Sequence, residues 1–310
     1  MIELNYITNQ SHREKMDYFL FLIYKTFKFI VLRLPKFLVK YFLDFITFVI
    51  YTIDRKHRRF GMANLDFVYK DTLTKKRKEE ILKNSYTNMV YNLYEFIENP
   101  TLNLEQIEKK VTLKNEHIIT DAIKENKKII LISAHYGNWE LITSYISMKY
   151  KPTTMVGRKM ENHYFNDDME KNRKKHNSQM LPKKGSAKGL IKALRDDRIL
   201  GLAIDQHIQL KRGIEINFLG YRASMVDSTS RIALKTGAVI IPVYFIKDGF
   251  GKYTIDFKDP LSVENLTSED KVKELTQLQA DSMSEQILKK PDDWMWVHRR
   301  FKAFYSEIYN

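Results

Sequence analysis

Residues 127–140, Lys-Lys-Ile-Ile-Leu-Ile-Ser-Ala-His-Tyr-Gly-Asn-Trp-Glu, constrain the fold more than any other stretch. Residues 129–132 form a continuous apolar run between Lys127-Lys128 and Ser133. A short run of this kind reads as a strand buried on both faces. It opens directly onto His135, Gly137, Asn138 and Glu140, and Leu141, Ile142, Tyr145 and Ile146 follow at helical spacing. The pattern predicts strand, tight turn, helix. The turn lies at the carboxyl end of a strand, where open α/β sheets place ligands.

His135 and Glu140 are five residues apart. On one continuous helix that spacing is about 140° of rotation, at roughly 100° per residue, and the two side chains would diverge. With His135 in the turn and Glu140 in the first helical turn, both can face one cleft. A carboxylate beside an imidazole holds its tautomer and raises its basicity, which makes a general base for an alcohol or amine. Gly-x-Ser-x-Gly is absent, so no nucleophile elbow is expected. A base without a protein nucleophile points to direct transfer onto an acceptor hydroxyl. The same two residues also suit a plainer role, His135 capping a helix and Glu140 complementing its dipole.

Residues 18–53 are the most apolar part of the chain, yet Lys25, Lys28, Arg33, Lys36, Lys40 and Asp44 interrupt them. No stretch reaches the roughly 18 uninterrupted apolar residues of a usual membrane span. At about 100° per position, the six charges fall within one sector of roughly 160°, leaving a broad aromatic and aliphatic face. This predicts helices lying in a membrane interface, divided or bent at Pro35, although packing on the protein's own core or a span within 37–53 are alternatives. Asp54 to Arg59 adds a basic cluster that would favour anionic lipid. No small-residue cleavage site follows, so a removable signal peptide is not expected.

The remaining chain alternates strands and helices. Strands are expected near Val111–Leu113, at Thr153–Gly157, 199–204, 238–246 and 253–257, and helices over 74–98, 162–175, 186–197, 225–236 and 267–289. Residues 207–224 read as an irregular loop, and Pro182 to Gly185 as a turn. The expected fold is α/β, a mixed sheet flanked by helices, with an N-terminal helical region over 1–59 and the α/β domain over 60–310. The formal charge of +14 favours anionic partners, and the absence of cysteine removes disulfides and thiolate metal sites. No His-x3-His, His-Glu-x-x-His, P-loop or dinucleotide fingerprint is present, so no metal and no cofactor is expected. The aromatics concentrate with Leu, Ile and Val in 18–53, which argues against nucleic acid.

His-Tyr-Gly-Asn-Trp-Glu resembles the His-x4-Glu motif of the bacterial lipid A biosynthesis (late, secondary) acyltransferases, within the wider glycerolipid acyltransferase group. The resemblance continues through Arg58, Arg59 and Asn64, Val156-Gly157-Arg158, Arg173, the Asp205-Gln206 strand end, Phe218-Leu219-Gly220 and Trp296-Val297-His298-Arg299-Arg300-Phe301-Lys302. Leu219 departs from the family's second Phe. The resemblance implies a glycerolipid acyltransferase-like fold and an O-acyltransferase with His135 as base and Glu140 as its support. Arg158, Arg173, Asp205 and Asn138 become candidate substrate-binding residues, the arginines for a phosphorylated acceptor and Asp205 to order one of them. Backbone N–H groups at 137–139, or an arginine, would hold the oxyanion. It further implies an acyl thioester co-substrate carried by acyl carrier protein, a lipid A precursor as acceptor, and the cytoplasmic face of the inner membrane. A lysophospholipid or glycolipid mannoside acceptor, or a non-catalytic membrane-binding scaffold, are the alternatives.

Overall fold

The structure, a computed structural model, describes residues 2–142, 144–158 and 161–310, with side chains from residue 14 onward. Four helices come first: α1 (Ile2–Val31), α2 (Lys36–Ile53), α3 (Arg55–Tyr69) and α4 (Lys75–Glu98). Pro35 stands at the N-cap of α2, where its missing N–H costs nothing, and separates α2 from α1 as expected. Then follow α5 (Leu104–Glu108), β1 (Val111–Lys114), α6 (His117–Lys124), β2 (Ile129–Ser133), α7 (Tyr145–Lys149), β3 (Thr153–Gly157), α8 (His163–Lys175), β4 (Gln179–Pro182) and α9 (Ser186–Arg195). The chain continues through β5 (Ile199–Ala203), β6 (Ile214–Phe218), β7 (Tyr221–Met225), α10 (Ser228–Thr236), β8 (Val239–Gly249), β9 (Lys252–Phe257) and α11 (Lys271–Lys289).

Among the described residues, seven strands form one sheet in the order β1-β9-β8-β2-β5-β3-β4. All neighbours are parallel except β8 and β9, which makes the sheet mixed. β2 is central, and its side chains are shared between the two faces. Ile130 and Ile132 join one core with α4, α9, α10 and α11, while Ile129 and Leu131 join the other with α5, α6 and α7. That division explains the unbroken apolar run, because neither face of this strand meets water. β6 and β7 form a separate antiparallel hairpin.

Three local features differ from expectation. Residues 207–224 contain the β6–β7 hairpin: Ile214, Ile216 and Phe218 alternate, and Leu219-Gly220 turn with positive φ (52° and 85°). The turn expected over Pro182 to Gly185 is present, with Gly185 in the left-handed region at the N-cap of α9, but the strand β4 that leads into it was not expected. After His135 the chain forms only a 3-10 turn over Trp139–Ile142 and the short α7.

The N-terminal helices leave many large apolar side chains exposed. Val39, Leu43 and Thr47 of α2 pack inward, and α4 supplies Val90, Tyr91, Tyr94 and Ile97. Three cations of the stripe form ion pairs with the rest of the protein, Lys28 largely buried and Lys25 and Lys36 still exposed. Lys25 and Lys28 reach Asp168 of α8 at 3.3 Å, and Lys36 pairs with the buried Glu98. Phe37, Tyr41, Phe45 and Phe48, one face of α2, are each at least 60% exposed. Among the described residues, no helix is long and apolar enough to cross a membrane. α3 runs unbroken through residues 59 and 60, and Phe60 and Leu65 on it are buried.

Candidate active site

The register of β2 against β5 builds the site. Ser133 pairs with Ala203, so two residues further along each strand His135 comes opposite Asp205. The chain leaves β2 toward β3 and leaves β5 toward β8, in opposite directions across the sheet, the arrangement that favours a ligand site at the carboxyl ends of neighbouring strands. Asp205 Oδ1 accepts the His135 backbone N–H at 3.0 Å and lies 2.7 Å from His135 Nδ1. Asp205 Oδ2 accepts the Trp294 indole N–H at 2.8 Å. An ionised carboxylate can only accept, so Nδ1 carries the proton and Nε2 presents its lone pair. Gln206 Nε2 lies 3.4 Å from that nitrogen, and the Trp139 ring meets the imidazole edge-on at 5.0 Å. The His135 side chain keeps 21% of its surface exposed, while Asp205 is buried.

The electrostatics follow from these contacts. Burial disfavours the Asp205 anion, but His135 and the two N–H donors outweigh it and hold its pKa at about 2. Burial likewise disfavours the imidazolium, but Asp205 and then Glu140 reverse the effect, so the His135 pKa ends above its ordinary value. Burial pushes the Glu140 carboxyl up, with Arg173 as the main opposing charge and His135 the second. Glu140 and Arg173 share the wall of a small cavity, about 30 Å³, with Phe96, Pro100 and Met169. That is room for a water or two.

The residues expected at the site divide accordingly. His135, Glu140 and Arg173 come together. Asp205, expected to order Arg158 or Arg173, instead has its oxygens committed to His135 and Trp294. Asn138 is also not at the surface of the cleft. It is fully buried, with the buried Tyr253 hydroxyl beside it. The Gly137 and Asn138 N–H groups donate to Asp293 O and Phe245 O at 2.9 and 3.0 Å, so they are unavailable to an oxyanion. Arg158 is exposed just after the end of β3.

Several contributors were not anticipated. Asn92 of α4 donates to Gly137 O at 2.6 Å. The His298 ring accepts the His207 backbone N–H through Nε2 at 2.7 Å, and burial lowers its pKa to about 4, keeping it neutral. Arg300 is fully buried, donates to Ser224 O and stacks on Phe218 at 4.4 Å. Burial lowers its pKa to about 10, with Asp205 the nearest opposing influence, so it stays charged at neutral pH.

The fold and site define an α/β protein with a carboxylate-held histidine at the carboxyl edge of a largely parallel sheet. A family model described as bacterial lipid A biosynthesis acyltransferase matches residues 7–303, and the chain belongs to that family. It is 28% identical over 188 residues to the lipid A biosynthesis acyltransferase of Haemophilus influenzae, covering 58% of each chain. It is 24% identical over 192 residues to the phosphatidylinositol mannoside acyltransferase of Mycolicibacterium smegmatis, covering 60% of each. The aligned region thus spans about three-fifths of these curated relatives. Among solved structures, a 1-acyl-sn-glycerophosphate acyltransferase from Thermotoga maritima aligns with a TM-score of 0.35 and 14% identity, over 81% of this chain and 97% of that one.

Proposed function

We propose that this protein is a membrane-surface O-acyltransferase that moves a fatty acyl group from a thioester donor to a hydroxyl of a lipid A precursor. The observation that carries the reading is the His135–Asp205 pair, an imidazole held by a carboxylate at Nδ1 on a side chain that keeps 21% of its surface exposed. Family membership supports acyl transfer as the chemistry. In the reaction, His135 Nε2 takes the proton of the acceptor hydroxyl as its oxygen bonds to the thioester carbonyl carbon. Collapse of the tetrahedral intermediate breaks the C–S bond, and the imidazolium returns the proton to the thiolate, giving an ester and a free thiol. Asp205 stabilises the imidazolium directly. Glu140 adds negative charge nearby and is itself balanced by Arg173. Arg158 or Arg173 would hold an acceptor phosphate by charge-assisted hydrogen bonds and share the oxyanion's charge.

Acyl carrier protein is the proposed donor and the cytoplasmic face of the inner membrane the proposed location. The exposed apolar faces of α1 and α2, with cations beside them, support a lipid-surface placement. A phosphatidylinositol mannoside acceptor is the second reading, favoured by the relative of that name at similar identity. Transfer by purified protein from acyl-loaded carrier protein to each acceptor, read by mass spectrometry, decides between them. His135→Ala should lower turnover by a factor on the order of 10² to 10⁴. Near-wild-type turnover in that variant would remove the assignment.

A further inference from the structure

The C-terminal segment 291–296 straps the catalytic turn from behind. Asp293 O accepts Gly137 N–H at 2.9 Å, and Met295 N–H donates to His135 O at 3.1 Å. Tyr136 and Trp294 form an isolated antiparallel bridge between them. Trp294 is only 1% exposed, packs edge-on against Trp296 at 4.7 Å and lies 5.8 Å from Phe218. Ser85 donates to its carbonyl at 2.6 Å. A phenylalanine could fill most of this space. What an indole adds is its N–H, and that N–H goes to Asp205 Oδ2.

Resting on the His135 general-base reading, we infer that Trp294 is a positioning residue for acyl transfer, whose indole N–H locks the Asp205 carboxylate so that His135 keeps its proton on Nδ1. With Oδ1 on His135 and Oδ2 on Trp294, the carboxylate has no freedom to rotate. Without the indole donor, Oδ2 would be a buried acceptor with nothing to accept, and the carboxylate would turn to share its hydrogen bonding elsewhere. Arg300, His298 and Tyr244 are the other ionisable groups acting on or beside Asp205, and Glu140 and Lys183 act on His135. Of these groups none supplies the contact that Trp294 supplies at Oδ2. Trp296 provides an internal control. It is equally buried, but its N–H donates to Pro291 O at 2.8 Å and closes the strap on itself.

The test compares W294F and W296F in the full-length protein with ¹⁵N-labelled histidine, the His135 signals being assigned by their loss in His135→Ala. Above the His135 pKa, the native protein should show one protonated and one unprotonated ring nitrogen. W294F should move both signals toward exchange-averaged positions. Its kcat for transfer from acyl carrier protein should fall by on the order of 10- to 100-fold, the effect of losing a hydrogen bond to a charged group, with the acceptor KM unchanged. W296F should keep the native His135 signal pair, because its donor goes to Pro291 O and not to Asp205. If W294F folds poorly, the benzothienyl isostere of tryptophan at 294 removes the N–H at constant shape and carries the same expectation. An unchanged His135 spectrum and kcat after loss of the 294 donor would overturn the inference, as would an equal change in W296F. The spectrum requires no substrate, so failure there is a failure of Trp294's role and not of the proposed reaction.

Discussion

Asp205→Asn isolates the charge from the shape. The folded carboxyl has a pKa of about 2, against 3.8 for the free group. That depression favours the anion in the folded state by on the order of 2 kcal/mol. Because the folded pKa is depressed, this stabilisation is present above the unfolded value and fades as pH falls from about 3.8 toward 2. Asn removes it at neutral pH and leaves Arg300 without its main opposing charge, so the variant should melt earlier than the native protein. The larger effect should be on turnover. Losing a hydrogen bond to a charged partner costs about 1.5–3 kcal/mol, or roughly 10- to 150-fold, and a wrong imidazole tautomer would extend the loss toward 10⁴. The pH profile carries the sharper signature. Asp205 raises the His135 pKa against the opposing effect of burial, and the base works only above that pKa. The acidic limb of kcat/KM should therefore move to lower pH in the Asn variant. Thioester transfer measured across the neutral range at fixed detergent reads both effects. Native turnover with an unmoved limb would show that Asp205 does not govern the base.

Phe37, Phe45 and Phe48 together replaced by Ser should weaken binding to anionic vesicles. If each ring is half inserted, at about 1.5–3 kcal/mol for full burial, the loss is roughly 2–4 kcal/mol, on the order of a hundredfold. Unchanged co-sedimentation would mean that the exposed face of α2 does not meet lipid. Gly137→Ala should destabilise the fold by more than the roughly 1–3 kcal/mol of backbone strain, because φ is +54° and a Cβ would run into the Phe245 carbonyl. Chemical denaturation checks this, and a native midpoint would contradict the close approach.

The elements that could be read from the sequence were those whose apolar pattern has one interpretation. β2, with four consecutive aliphatic residues, is buried on both faces, and β3 begins and ends where its composition suggests. β4, Gln-Met-Leu-Pro at the sheet edge, offers too little apolar contrast to stand out. The β6–β7 hairpin did carry a period-2 signal in Ile214, Ile216 and Phe218, obscured by the charged and polar residues between them. His135 could be identified because a histidine after a buried strand is conspicuous. Its partner could not, because the pairing with Asp205 depends on β5 lying beside β2, and strand order is a property of the whole sheet. Glu140, closer in sequence, was the natural candidate for the supporting carboxylate. Trp294 was hidden for the same reason, 89 residues from the carboxylate it holds.

That separation has a consequence for how the molecule comes into being. The apolar faces of α1 and α2 are complete by residue 53, whereas the carboxylate that orders the base is not held until Trp294 arrives 241 residues later. At about 5–20 residues per second, synthesis leaves an interval of roughly 12–48 s in which the exposed phenylalanines exist without a finished catalytic centre. A nascent chain in that interval can meet a bilayer, a chaperone or another copy of itself, and only the first two are harmless. Expression that outruns the available lipid surface should therefore yield aggregates nucleated by the N-terminal helices, while the α/β core that follows them is still unmade.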